Sequence, residues 1–184
     1  MDLSNRNALI ASMVPLGVCV EVGVAEGYFS DVIIKHNPKH LYLIDPWVVR
    51  HRGSYTKDPA NFTNHKANYA GVLKRFGDLP NVTIIRKPSG PASKLIADAS
   101  CHMVYIDANH NRKFVARHMV QWWPKIEPGG YLCGHDWLNE DQDRRWPWIQ
   151  VRDSVKKFAE EHSLEILLTT DDLPLRTWII QKPL

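Results

Sequence analysis

The residues best placed to do chemistry in this 184-residue chain stand at the ends of short apolar runs: Gly23, Asp45, Lys87-Pro88-Ser89, Asp107 and His135-Asp136. The segment Glu21-Val22-Gly23-Val24-Ala25-Glu26-Gly27 reads as strand, glycine turn, then helix. A side chain at Gly23 would block a ligand's approach to the backbone, and the free amides of a helix start favour an anionic group. A dinucleotide fingerprint would read G-x-G-x-x-G, its tight glycine pair cradling a pyrophosphate. Here the spacing is G-x-x-x-G, with acids at Glu21 and Glu26. Carboxylates repel pyrophosphate and suit a ligand carrying an amino group and a sulfonium. Asp45 lies 22 residues after Gly23, where an acid can accept hydrogen bonds from both hydroxyls of a ribose. Trp47 is suited equally to stacking on an adenine and to packing in the core. A mere tight turn at Gly23 and a capping role for Asp45 are the bland alternatives.

These residues need elements to hold them. Val18–Val22, Leu41–Ile44, Val82–Ile85, Met103–Ile106 and Tyr131–Cys133 are apolar runs too short for helices, as expected of strands buried on both faces. Helical spacing appears between them: Phe29, Val32, Ile33; then 62–76; a short stretch over 91–98; and Val115, Met119, Trp122, Trp123, stopped by Pro124. Leu3, Ile10, Met13 and Val14 suggest a short N-terminal helix, and Trp148, Val151, Val155 and Phe158 a late one. Trp122, Trp123 and Trp148 fit helix faces packed on the sheet. Two last strands, Glu165–Leu168 and Thr177–Ile180, are joined too closely for a crossover and should pair antiparallel at one edge. The expectation is one α/β domain over residues 1–184. Its sheet is doubly wound, mostly parallel and seven-stranded, with a C-terminal antiparallel hairpin at the edge. In such sheets ligands sit outside the carboxyl ends of the strands, near the switch in strand order.

Composition narrows the class. With 44% hydrophobic and 23% charged residues, the chain is an ordinary globular one. The net charge of +3 comes from scattered Lys and Arg, too weak a balance to imply a nucleic-acid partner. No apolar run approaches a membrane span. The start of the chain lacks a signal-peptide layout, and Cys19, Cys101 and Cys133 have no zinc or redox spacing, so a cytoplasmic protein with reduced, structural cysteines is expected. Arg144-Arg145 and Lys156-Lys157 read as solvated charge. The loops at 48–61, with Arg50-His51-Arg52, and at 138–147 follow strand ends and could cover a substrate.

The run Glu21–Ser30 followed by Leu43-Ile44-Asp45-Pro46-Trp47 resembles the cofactor half of the class I S-adenosylmethionine-dependent methyltransferases, whose Rossmann-like fold also ends in such a hairpin. The stretch from Val104-Tyr105-Ile106-Asp107 to Gly134-His135-Asp136-Trp137 is similar to a subgroup of them. It includes small bacterial O-methyltransferases and macrolide- and aminocoumarin-sugar O-methyltransferases. The resemblance spans about residues 17–137. It implies S-adenosylmethionine as cofactor, held by Glu21, Gly23, Gly27, Asp45, Trp47, Ser89 and Asp107, with Ser89 near the adenine. It implies a divalent metal, Mg²⁺ or Mn²⁺, on Asp107, His135 and Asp136. A cation between neighbouring carboxylates would relieve their repulsion. His135 departs from the acid usual there, and imidazole shifts the expectation from Mg²⁺ toward Mn²⁺, Fe²⁺ or Zn²⁺, or toward no metal; a turn-capping or substrate-binding role for His135-Asp136 is the alternative. Asn109 stands where the sugar-modifying relatives carry an acidic base, so the neighbouring His110 becomes the candidate base beside Asp107, with a structural histidine as the alternative. The implied activity is O-methylation of a small hydroxylated acceptor, with a homo-oligomer conceivable. Two rival readings are a same-scaffold hydroxylase of antibiotic metabolism and a cofactor-binding protein without turnover.

Overall fold

A computed structural model describes residues 1–48, 63–139 and 145–184. The loop reading at Arg50-His51-Arg52 and the one at Arg144 fall outside the described residues. In chain order the elements are α1 (Arg6–Ser12), β1 (Val18–Val22), α2 (Tyr28–Ile34), β2 (His40–Ile44), α3 (His65–Phe76), β3 (Val82–Ile85), α4 (Ser89–Ser93), β4 (Cys101–Ile106), α5 (Arg112–Trp122), β5 (Ile126–Trp137), α6 (Val151–His162), β6 (Leu167–Leu168) and β7 (Arg176–Gln181). The strands form one seven-stranded sheet in the order β3-β2-β1-β4-β5-β7-β6. The first five run parallel. β7 enters antiparallel between β5 and β6, giving the expected antiparallel edge.

The near-continuous apolar strands are explained by cover on both faces. Alternate residues Val20, Val22, Val104, Ile106, Leu132 and Trp178 join a core with Met119, Trp122, Val155 and Phe158 of α5 and α6. Their neighbours Cys19, Leu41, Leu43, Met103, Tyr105 and Ile179 join a second core with Leu9 and Ile10 of α1, Phe29 and Ile33 of α2 and Val72 and Phe76 of α3. All three cysteines are buried and free, and burial pushes their thiols up. Among the described residues no helix is long and apolar enough to cross a membrane.

Register brings the strand ends level. Val22 pairs with Ile44 on one side and Ile106 on the other, and Ile106 pairs with Gly134. Asp45, Gly23, Asp107 and His135 therefore follow one another along a single rim, with the reversal in strand order between β1 and β4.

Helices α4 and α6 and strand β5 differ from the sequence expectation. Helix α4 starts at Ser89, ahead of Pro91, because a proline in the first helical turn forfeits no intrahelical hydrogen bond. β5 takes in Pro128-Gly129-Gly130, turn residues by propensity, since Gly129 donates to the Lys182 carbonyl and Lys182 donates back to Gly130. β5 also continues through His135 and Asp136 to Trp137, which pairs with Arg176. Helix α6 begins only at Val151, leaving Trp148 half-buried outside it, whereas Trp122 is fully buried and Trp123 partly so.

Candidate active site at the carboxyl ends of the strands

The glycine turn is shaped first by the protein's own backbone. Gly23 sits at φ +96°, and a Cβ there would collide with the carbonyl oxygen of Asp107. The expected reason for this glycine, room for a ligand, is thus joined by a stricter one: β1 and β4 converge here. Gly27, at φ +79°, is the N-cap of α2, and a Cβ on it would press on Arg75 and Phe76.

Glu21 is buried and accepts a 2.5 Å hydrogen bond from the Ser30 hydroxyl. Burial pushes its carboxyl up to about 8, so at neutral pH it is mainly uncharged. This corrects the expectation that Glu21 contributes negative charge beside the turn. The carboxylate of Asp45 bridges two loops, accepting from Ala25 N at 3.0 Å and Trp47 N at 2.6 Å. Burial raises the Asp45 carboxyl, and these amides oppose the rise. A carboxylate offers about four lone-pair directions, so acceptor capacity remains for hydroxyls beyond the two amides. Trp47 is 2% exposed, donates from its indole nitrogen to the Ala25 carbonyl, and packs at a tilt on Tyr69. Its place is in the core, which is the packing role the sequence offered beside stacking on an adenine. Ser89 is half-buried, and its hydroxyl accepts the indole N–H of Trp122 at 2.9 Å.

The polar cluster lies beside the turn. One donor atom each from Asp107, His110 and Asp136 fall within 4.8 Å of one another. His110 Nε2 is 2.8 Å from Asp136 Oδ2, while His135 Nδ1 is 3.3 Å from Asp136 Oδ1. Among the described residues the nitrogen grouped with Asp107 and Asp136 is that of His110, where the expected metal trio had His135. The cause is a register shift in β5 between Gly134 and Trp137, with Asp136 in the left-handed region at φ +63°. Burial raises the Asp107 carboxyl, and the charge of Asp136 raises it further. Burial works the same way on Asp136, but the charge and hydrogen bond of His110 and the hydrogen bond of His135 outweigh it, holding that carboxyl well below the usual range. Burial would lower His135, yet its bond to Asp136 and the charge of Asp107 leave it raised. Asn109 shapes the turn, accepting from Asn111 N.

One residue at the site escaped the sequence reading. Arg6 Nη1 comes within 3.8 Å of Asp107 Oδ2, with its guanidinium over the Phe29 ring. Nothing local signals it. It is delivered by tertiary bonds that pin the N-terminal segment: Thr170 N to Leu3 O, Asp171 N to Ser4 O, and Arg6 N to the Asp172 carboxylate. Asp136 also lines a cavity of about 240 Å³ together with residues of α5, of α6 and of the segment before α6. The rim as a whole can hold a nucleoside across Gly23 and Asp45 and accept a proton at His110, beside the carboxylate of Asp136.

Residues 20–137 match the family described as a methyltransferase domain. The chain belongs to this family, the class I S-adenosylmethionine-dependent methyltransferases, whose cofactor is S-adenosylmethionine. Solved structures repeat the fold over nearly the whole chain. The N-methyltransferase NodS from Bradyrhizobium japonicum superposes with a TM-score of 0.65 at 13% identity, covering 97% of this chain and 95% of that one. A Clostridium thermocellum protein described as an rRNA methylase gives 0.66 at 13%, covering 97% and 93%. A Klebsiella pneumoniae protein described as an O-methyltransferase gives 0.64 at 15%, covering 97% and 78%. No curated protein gives a sequence match.

Proposed function

We propose that the chain transfers the methyl group of S-adenosylmethionine to a hydroxyl oxygen of a small acceptor, with the His110–Asp136 pair receiving the proton. The observation that carries this reading is the 2.8 Å contact between His110 Nε2 and Asp136 Oδ2, level with Gly23 and Asp45 along the same rim. In the reaction the O–C bond forms as the C–S bond breaks, and S-adenosylhomocysteine leaves. The sulfonium is already a good electrophile, so the protein has two tasks, alignment and proton removal. Asp45 takes the ribose hydroxyls on its remaining lone pairs, while Gly23, Gly27 and Asp107 shape the cofactor's amino-acid end beside the neutral Glu21. Asp136 orients the His110 ring and supplies the counter-charge when that ring is protonated. The resemblance of the segment from Val104 to Trp137 to small O-methyltransferases supports oxygen as the target, and the scattered surface charge supports a small molecule rather than a nucleic acid.

A metal-assisted version is favoured by one observation, the convergence of three donors on Asp107, His110 and Asp136. Two carboxylates and an imidazole fit a first-row divalent ion such as Mn²⁺ better than Mg²⁺. These residues would hold it, and the ion when bound would lower the pKa of the acceptor hydroxyl and fix its position.

The test is methyl transfer from labelled S-adenosylmethionine to a panel of small hydroxylated compounds, with and without a chelator. Transfer to oxygen that persists in chelator assigns the proton to His110 and Asp136. Transfer that stops, and returns with Mn²⁺, assigns the trio to a metal. Failure to bind S-adenosylhomocysteine at all would overturn the reading.

A further inference from the structure

We propose that Arg6 is the resident cation of the Asp107–His110–Asp136 cluster, seated so that any divalent ion entering the cluster must compete with it. This rests on the methyl-transfer reading above in one respect, that the cluster is the reacting centre. It goes beyond that reading by favouring the version in which His110 takes the proton over the metal-assisted one.

The guanidinium is held in place from two sides. Arg6 opens α1, and its backbone N–H donates to the Asp172 carboxylate at 2.6 Å. The residues ahead of it are tied down as well, Leu3 and Ser4 accepting from the amides of Thr170 and Asp171. The side chain reaches over the Phe29 ring, 5.1 Å from its centroid, and Phe29 packs in turn on Tyr105 at 4.2 Å. Nη1 ends 3.8 Å from Asp107 Oδ2, with both side chains partly sheltered at 33% and 25% exposure. That distance makes an ion pair rather than a hydrogen bond, so the charge acts on the carboxylate without filling its lone pairs.

The charge is felt along the rim. Burial raises the carboxyls of Glu21 and Asp107 and the phenol of Tyr105, and the Arg6 cation opposes the rise at each. At His135 burial opposes protonation, and Arg6 works in the same direction. Guanidinium groups stay charged in proteins, whereas imidazoles titrate near neutrality. Arg6 therefore eases the repulsion between Asp107 and Asp136, the service a metal ion would otherwise perform. An ion on Asp107 would sit roughly 2 Å from the coordinating oxygen. Ion and guanidinium would then be only several ångströms apart, and like charges that close in a sheltered setting repel strongly. Swinging Arg6 away to relieve this would forfeit its contact with Phe29.

The experiment titrates Mn²⁺ into the full chain, reading free ion by electron paramagnetic resonance and the dissociation constant by calorimetry. Wild-type protein should hold the ion weakly. Arg6→Gln, which keeps the backbone bond to Asp172, should bind it at least about ten-fold more tightly. Arg6→Lys, which keeps the charge, should gain less. Adding Asp107→Asn to Arg6→Gln should abolish the gain. Should Arg6→Gln fail to fold, Arg6→Met, an uncharged stem that still covers Phe29, carries the comparison. A smaller gain in the uncharged variant, an equal gain in Arg6→Lys, or a gain that survives Asp107→Asn would overturn the proposal. So would an absence of measurable Mn²⁺ binding by the uncharged variant. S-adenosylhomocysteine titrated into metal-free wild-type protein is read separately: no binding there would sink the methyl-transfer reading and leave the ion comparison to stand on its own.

Discussion

Asp136 combines two features that rarely meet without a function: a non-glycine residue at φ +63° and a buried carboxylate shared by two imidazoles. Asparagine tolerates the left-handed region, so Asp136→Asn removes the charge with little change in backbone. Its methyl transfer should fall by about 10²- to 10⁴-fold, the usual weight of acid–base assistance, with S-adenosylhomocysteine affinity nearly unchanged. Single-turnover assays and calorimetric titration check both parts, and a variant retaining transfer within ten-fold would remove His110–Asp136 from the proton's path. Glu21 gives a second prediction, in stability. Its folded carboxyl is raised from the ordinary 4.5 to about 8 by burial, so between those values the folded chain keeps a proton the unfolded chain has released. The protein should lose stability as pH rises through that window and level off above it. Glu21→Gln should flatten this slope and be the more stable form at pH 8, by up to a few kcal/mol. Urea denaturation at pH 5.5 and pH 8 decides, and parallel slopes for both proteins would contradict it. At this scale the acids were legible because parallel strands put their last residues on one rim. The neutral state of Glu21 was hidden because burial depends on the whole fold. The exchange of His135 for His110 follows from an irregularity in β5 that no spacing announces.

The contact between β1 and β4 leaves the least room at any described glycine, since Gly23 has no space for a Cβ against Asp107. Gly23→Ala adds a methyl group there and a side chain at φ +96°, so it should destabilise the fold by well over 1 kcal/mol and lose S-adenosylhomocysteine binding. Gly71, within α3, is the internal control, for a Cβ there meets nothing within 4 Å. Gly71→Ala should stabilise by about 0.5–1 kcal/mol through helix propensity alone, raising Tm by a few degrees. Thermal melts of the two variants beside wild type separate a glycine required by contact from one that is merely tolerated; equal melting temperatures would show that the strand ends relax more than their geometry implies. The five parallel strands and their helices were readable because apolar runs of three to five residues alternate with helical periodicity. The ends were not. Pairing with β7 carries β5 across Pro128-Gly129-Gly130, and β6 shrinks to Leu167–Leu168, an edge strand paired among the described residues with β7 alone. Both outcomes are decided by neighbouring strands rather than by local sequence.

At the scale of the molecule, the reversal in strand order between β1 and β4 splits the helices onto two faces and leaves a crevice where they part. That crevice is walled by pieces from far apart in the chain: the glycine turn, the ends of β2, β4 and β5, and α1 with Arg6. α1 is itself held by residues 170–172 near the other terminus. A ligand seated there touches both halves of the sheet, and it binds only when all of them are assembled. Its binding free energy is therefore added to the stability of the whole domain rather than to one loop. At about 100 times its dissociation constant, S-adenosylhomocysteine should add about 2.7 kcal/mol. For a chain of this length that is a rise in Tm of about 5–10 °C, with a single transition retained. NAD, whose pyrophosphate the G-x-x-x-G turn is not spaced to cradle, should leave the melting temperature where it is. Differential scanning calorimetry with each ligand makes the comparison. A matching rise with NAD would mean that the crevice recognises adenosine alone, and the specificity drawn from Gly23 to Gly27 would have to be abandoned. A rise confined to one of two resolved transitions would show that the ligand stabilises only part of the sheet.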